Sequence, residues 1–293
     1  MTEITDRAEV ARILADPRFV VPEADAAATT PFDRFRAHAS RFANGAPHDA
    51  RRGRLDQLAE ALRPAELARL AAARTRRFLE AEGTRRVEVA AIARSVPVAT
   101  LAEALGFSDP PALPPLVATV AHRYASGAPT DAAAEDLAIT RLLSAAPSGT
   151  DAEARVLAVQ LLVQAFTATA ALVEGAVRRL EASADASPSS PSTRALLLET
   201  LRDDSPVPLT RRVSPNGALV VLRLDGPDRE AAAAAAEPRT LAFGAGPRAC
   251  PAPHLALAIA AAIIDELRRA RASEPTTDAP KPATEEAAHA ESR

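Results

Sequence analysis

The 293-residue chain contains one cysteine, one methionine, one tyrosine and no tryptophan, and aromatic side chains make up only 3% of it. A single cysteine excludes an internal disulfide and any multi-cysteine zinc site, leaving Cys250 as an inert buried thiol, a nucleophile or a metal ligand. Hydrophobic residues still reach 47%, much of it alanine. With so few large rings the core must be built from Leu, Val, Ala and a few Phe on closely packed helices, so a mainly α fold is expected. Net charge is only -3, with acids and bases interspersed, and no electrostatic footprint for nucleic acid or an anionic membrane stands out. The N-terminus lacks the apolar core of a secretion signal, and no run reaches the roughly 20 apolar residues of a bilayer span. The expectation is a cytoplasmic protein without nucleic-acid or membrane partners.

Apolar periodicity predicts two amphipathic helices over residues 51–81, where Leu55, Leu58, Leu62, Leu67, Leu70 and Phe78 recur and Pro64 ends the first. Another helical pattern covers about 87–105, with Pro97 an expected kink or break. Residues 156–180, VLAVQLLVQAFTATAALVEGAVRRL, are apolar around most of the circumference, the pattern of a helix at the centre of a domain. Gln160, Gln164 and Thr167 nevertheless share one of its faces. Such a polar stripe requires a cofactor, an internal cavity or neighbouring backbone to satisfy it.

A short helix is expected over Thr193–Arg202, extended chain after Pro206 and Pro208, and a strand over Ala218–Leu224 in at most a small sheet. The last helix spans Leu255–Arg271, with basic residues in its final turns as the macrodipole favours. Two segments hold too few large apolar groups to fold: 181–190, read as a loop, and 273–293, read as a disordered tail. Neither separates two cores, so a single domain over residues 1–272 is expected.

Just before the last helix stands Phe243-Gly244-Ala245-Gly246-Pro247-Arg248-Ala249-Cys250-Pro251-Ala252-Pro253-His254. Two glycines allow a tight turn and close backbone approach, Arg248 offers a fixed cation, and the dipole of the following helix favours a thiolate at Cys250. This loop resembles the haem loop of the cytochrome P-450 family, Phe-Gly-x-Gly-x-(Arg/His)-x-Cys-x-Gly. Phe243, Gly244, Gly246, Arg248 and Cys250 match, while Ala252 replaces the last glycine.

Further segments resemble the family in order along the chain: Ala15-Asp16-Pro17-Arg18-Phe19, Pro47-His48 with Arg52, Glu199-Thr200-Leu201-Arg202, and the stretch from Asp204 to Val213. The resemblance implies a shortened cytochrome P-450-like helical fold with a reduced β-sheet and haem b (iron protoporphyrin IX) as cofactor. It implies Cys250 as proximal iron ligand, and haem contacts from His48, Arg52, Arg212, Phe243, Gly244, Gly246 and Arg248. Glu199 and Arg202 are expected to form a buried pair, and Arg52, Arg212 and Arg248 to meet propionates, because a guanidinium matches a carboxylate fork. His254 is expected at the start of the last helix, turned away.

Departures from the family bear on the reaction. Where its central helix carries an acid and an alcohol that manage protons, this chain has Gln164-Ala165-Phe166-Thr167-Ala168-Thr169, so Gln164, Thr167 and Thr169 are the candidate distal residues. Losing an organised proton relay removes general-acid assistance worth about 10²- to 10⁴-fold. Pro251 and Pro253 cannot donate to the sulfur, which predicts fewer hydrogen bonds to it and a lower iron potential. The resemblance implies a monooxygenase-like oxidoreductase acting on a small organic substrate, with electrons from a separate ferredoxin or flavoprotein. The distal departures keep two alternatives in play: a haem enzyme that uses peroxide or catalyses dehydration or rearrangement, and a non-catalytic helper. The substrate-facing loops are expected between Asp109 and Ala154, where Ala and Pro specify an apolar wall.

Overall fold

A computed structural model describes residues 2–82, 88–184, 191–225 and 240–273. The tail beyond 273 and the alanine run at 230–237 lie outside these. Ten α-helices and a three-stranded sheet are present among the described residues.

Local chemistry sets the helix ends. Helix α1 (Arg7–Ala15) starts where Asp6 accepts the Glu9 N–H at 2.8 Å, and α2 (Pro31–His38) has Thr30 as its cap and Pro31 in its first turn. Helices α3 (Gly45–Glu60) and α4 (Pro64–Glu82) are the expected amphipathic pair, with Pro64 opening the second. Helix α5 (Val89–Leu105) ends at Gly106, whose φ of 83° suits a residue without a β-carbon.

Pro97 does not break α5. A mid-helix proline costs about 3 kcal/mol. Burial of Ile92, Val96, Val98 and Leu101 on the same helix, at about 1.5–3 kcal/mol each, outweighs it.

The region expected to supply substrate-facing loops is mostly helical, with α6 (Leu113–Ser126) and α7 (Ala132–Ala145). A buried ion cluster ties them to α2. Arg123 donates to Glu135 at 3.0 Å and to both oxygens of Asp33 at 3.0 Å, while its guanidinium lies 4.3 Å from the Phe32 ring centroid.

Helix α8 (Ala152–Ala184) packs against α5, α6, α9 (Thr193–Asp203) and α10 (Pro253–Ala272), forming the centre of the main core. It extends through 181–184, so the expected loop starts later than composition suggested, and 185–190 lie outside the described residues. Contrary to the absence of a span-length segment expected from sequence, α8 is long and apolar enough to cross a membrane by length and composition. The error came from counting uninterrupted apolar residues: scattered Gln and Thr do not lower the average enough. More than half of the apolar window is buried in protein.

The sheet is small but present. Strand β3 (Leu219–Arg223) lies between β2 (Leu209–Val213), antiparallel to it, and β1 (Thr2–Ile4), parallel to it, with Arg212 opposite Val220 and Glu3 opposite Val221. Val220 and Leu222 on one face, with Leu224 beyond the strand, join Val10, Ile13, Leu14 and Leu241 in a second, smaller core. This packing places α1 beneath the cysteine loop.

Candidate functional site

The cysteine loop depends on its two glycines. Gly244 and Gly246 have φ of 70° and 67°, in the left-handed region that side chains avoid. A β-carbon on Gly246 would stand 2.6 Å from the Leu14 carbonyl oxygen and 2.7 Å from the Ala15 α-carbon, so glycine lets the loop rest on the end of α1. The Cys250 N–H donates to the Phe243 carbonyl at 2.7 Å, closing the turn.

The sulfur is not without a donor. Although the prolines offer none, the intervening Ala252 N–H points at Sγ at 3.5 Å, which corrects the donor-poor environment inferred from Pro251 and Pro253. Burial pushes the Cys250 thiol up, against smaller downward pulls from that N–H and from Arg52. His254 is exposed, as expected.

Three arginines and a histidine stand on or near this loop. Arg52 donates to the Ala249 carbonyl at 2.7 Å and to Asp56 at 2.7 Å, so it braces the loop from α3. Arg248 reaches the Ala43 carbonyl at 2.6 Å and Asn44 Oδ1 at 2.8 Å. His48 is buried on α3 with Nδ1 2.9 Å from Asp49; burial, with Arg248 and Arg52 nearby, pushes it below its ordinary value. Arg212 is only 5% exposed, and its hydrogen bonds go to Thr210 Oγ1 at 3.1 Å and the Arg211 carbonyl at 2.8 Å. Burial, then Arg248 and Arg41, push it down to about 10.

No carboxylate among the described residues pairs with Arg212 or Arg248 within 4.0 Å. A buried guanidinium without a counter-ion is costly. A ligand bearing two carboxylates would repair that cost, and haem, with two propionates and an iron for Cys250, fits this donor set.

The polar stripe of α8 is partly explained by backbone. Gln160 is buried; its Oε1 accepts the Ser40 N–H at 2.8 Å, and its Nε2 donates to Ser40 Oγ and to Gln164 Oε1, both at 2.8 Å. The Ser40 N–H can only donate, which fixes Gln160's orientation. Gln160 then fixes Gln164, whose Nε2 faces outward as a donor. Thr167 continues this face and is exposed. Thr169, two residues on and so about 200° around the helix, is buried on another side; the structure does not bring it together with Gln164 and Thr167.

The expected Glu199–Arg202 pair does not form. Arg202 instead makes a two-pronged contact with its neighbour Asp203, at 2.7 and 3.0 Å, and its side chain is 32% exposed. Ser40, Arg41 and Asn44, which touch or influence the site, were not flagged by sequence. Their short, polar segment carries no motif, and only the fold brings it to α8 and the cysteine loop.

No protein-family model and no curated protein matches the chain. Solved structures do. P450BioI, in complex with a hexadec-9Z-enoic acid-ligated acyl carrier protein, is 19% identical with a TM-score of 0.75, covering 92% of this chain and 85% of that one. Substrate-free CYP109E1 from Bacillus megaterium is 16% identical at 0.67, covering 91% and 84%. Ligand-free CYP164A2 from Mycobacterium smegmatis is 20% identical at 0.64, covering 91% and 83%. The chain therefore has the cytochrome P450 fold, in shortened form.

Proposed function

We propose that this protein is a haem-thiolate oxidoreductase of monooxygenase type, with Cys250 as the ligand to the iron of haem b. One observation carries the reading: buried Arg212 lies near Arg248, two residues from the only cysteine, and neither makes an ion pair with a carboxylate among the described residues. Haem bound there would supply thiolate-supported activation of oxygen or peroxide.

The chain's own residues divide the remaining work. Arg212 and Arg248 bind the propionate carboxylates, while neutral His48 adds a ring nitrogen. Arg52 holds the loop by its carbonyls, and Gly244 and Gly246 give it its shape. The Ala252 N–H orients Sγ and moderates its charge. Phe243 packs beside the loop against the main core. Gln164 presents a fixed N–H donor and Thr167 a hydroxyl on one face of α8, from which they would hydrogen-bond a substrate.

Thr167 stands where the family's central helix carries its acid, which favours a second reading in which the enzyme bypasses the usual oxygen activation by using peroxide or by catalysing a dehydration or rearrangement. The partners are a small-molecule substrate and, in the monooxygenase reading, an external ferredoxin or flavoprotein.

The test is the absorption spectrum of the reduced, carbon monoxide-bound protein. The thiolate-haem signature is expected in the native chain and absent in Cys250→Ser. No haem uptake by the native chain would refute the proposal and leave a haem-free helper role. Turnover with a reductase chain set against turnover with peroxide then decides between the two chemistries.

A further inference from the structure

The turn that carries Ser40 also carries Arg41 and Phe42, and these meet α2 and α6 in a cluster to which the haem reading gives no task. Tyr124 packs edge-on against Phe42 with centroids 5.0 Å apart, and against Phe35 at 5.6 Å. The Arg36 guanidinium lies 4.4 Å from the Phe42 centroid, and that of Arg41 lies 5.7 Å from the Tyr124 centroid. Beyond these ring contacts, neither guanidinium has a hydrogen bond or an ion pair among the described residues. Arg36 Nε and the Tyr124 hydroxyl are both buried with no partner among the described residues, Tyr124 being 3% exposed.

Asp33 makes no hydrogen bond to either group; its oxygens accept from Arg123, and one also from Thr30. Asp136, which accepts the Phe32 N–H at 2.9 Å, is the third carboxylate of the cluster beside Asp33 and Glu135, and Arg41 is exposed, so what is unmet is an acceptor for the two buried donors rather than a charge. Buried donors without acceptors are rare in folded proteins and call for an explanation. Unpaired N–H and O–H donors beside aromatic rings, with two guanidiniums that make no ion pair among the described residues, match the complement of a carboxylate on an apolar body.

We infer that Arg36, Arg41 and Tyr124 form a carboxylate-binding subsite, so that the substrate is an organic acid held by its anionic end, with its apolar part against Phe42. The Arg36 side chain, tethered by no hydrogen bond, swings to admit the carboxylate, which then supplies the acceptor that Nε and the Tyr124 hydroxyl lack. The assignment of this ligand as substrate rests on the haem-enzyme reading. The binding chemistry does not.

The test uses the full-length protein as purified, with its tyrosine 13Cζ-labelled. Because the chain has one tyrosine, binding is read from a single resonance that does not depend on turnover. The probes are dodecanoate and cinnamate, each against its own alcohol. Each acid is expected to bind roughly 30- to 100-fold more tightly than its alcohol, as a charge-assisted pair of hydrogen bonds predicts. In Arg36→Gln/Arg41→Gln the preference should fall to within about threefold, and Arg36→Lys/Arg41→Lys should restore part of it.

Equal affinity for acid and alcohol, absence of binding by either acid, or a preference that survives the glutamine substitutions would overturn the inference. So would loss of haem from the glutamine variant with the acid preference intact, since the two arginines would then serve haem propionates. If the double variant does not fold, the single variants Arg36→Gln and Arg41→Gln carry the same comparison. A native protein that prefers acids yet lacks the carbon monoxide signature would support the subsite while sinking the haem reading.

Discussion

Replacing Arg212 with Met should have opposite effects with and without haem. Burial and the neighbouring Arg248 push the Arg212 guanidinium down to about 10, a penalty of about 3 kcal/mol on keeping it charged in place. Methionine fills similar space without charge. Its cost is the two hydrogen bonds to Thr210 and Arg211, together about 1–2 kcal/mol. The haem-free Arg212→Met chain should therefore be more stable by about 1–2 kcal/mol, in line with other replacements of buried charge by apolar side chains. With haem bound the sign reverses, because a propionate loses a charge-assisted donor worth about 1.5–3 kcal/mol, and haem should leave roughly 10- to 100-fold more readily. Urea unfolding of the haem-free chain and haem transfer to an acceptor globin measure the two effects. Destabilisation of the haem-free variant, or unchanged haem retention, would show that Arg212 is already satisfied inside the protein and is not held for an anionic ligand.

Three other changes probe the surroundings of the site. Gly246→Ala places a β-carbon 2.6 Å from the Leu14 carbonyl oxygen, against backbone and at φ of 67°; a loss of about 1–3 kcal/mol in thermal unfolding is expected, and an unchanged melting curve would contradict the close contact with α1. Thr100 is fully buried on α5 with no partner for its hydroxyl among the described residues, so Thr100→Val should raise the urea midpoint, a gain of about 1 kcal/mol, whereas a lower midpoint would reveal a partner. His48 lies below its ordinary 6.5, so the unfolded chain takes up the proton first as pH falls. Its contribution is fully present above about 6.5 and is lost progressively below it; His48→Gln should flatten the decline of stability between neutral and mildly acidic pH, and an identical decline in the variant would assign it to other groups.

Much of the architecture was legible because it rests on local periodicity. The core helix α8, the α3–α4 pair, α9, α10 and strand β3 follow from the spacing of their own apolar residues. The loop geometry was legible for a related reason, since glycines at 244 and 246 announce backbone that other residues avoid. Pro97 misled because a local breaker was weighed without the burial that overrides it. Strand β1 pairs with β3 across more than 200 residues, a register that three residues at the chain start cannot announce.

Side-chain partnerships were the least legible, and Arg202 shows why. Its spacing from Glu199 suits a pair on one helix face, but the choice of acid was made by another helix. Gly175 on α8 has no β-carbon, and one placed there would stand 2.6 Å from Thr200 on α9, so the two helices come unusually close. That approach carries Arg179 to within 3.3 Å of Asp203, and Arg178 to within 3.1 Å of Asp204. Asp203 is thereby held at the end of α9, where its carboxylate also meets Arg202 through both prongs, a geometry that a pair with Glu199 would have to break. Gln160 follows the same logic on α8. Its partner Ser40 lies 120 residues away, and the direction in which Gln164 offers its N–H is therefore set by a backbone amide that no pattern within α8 contains.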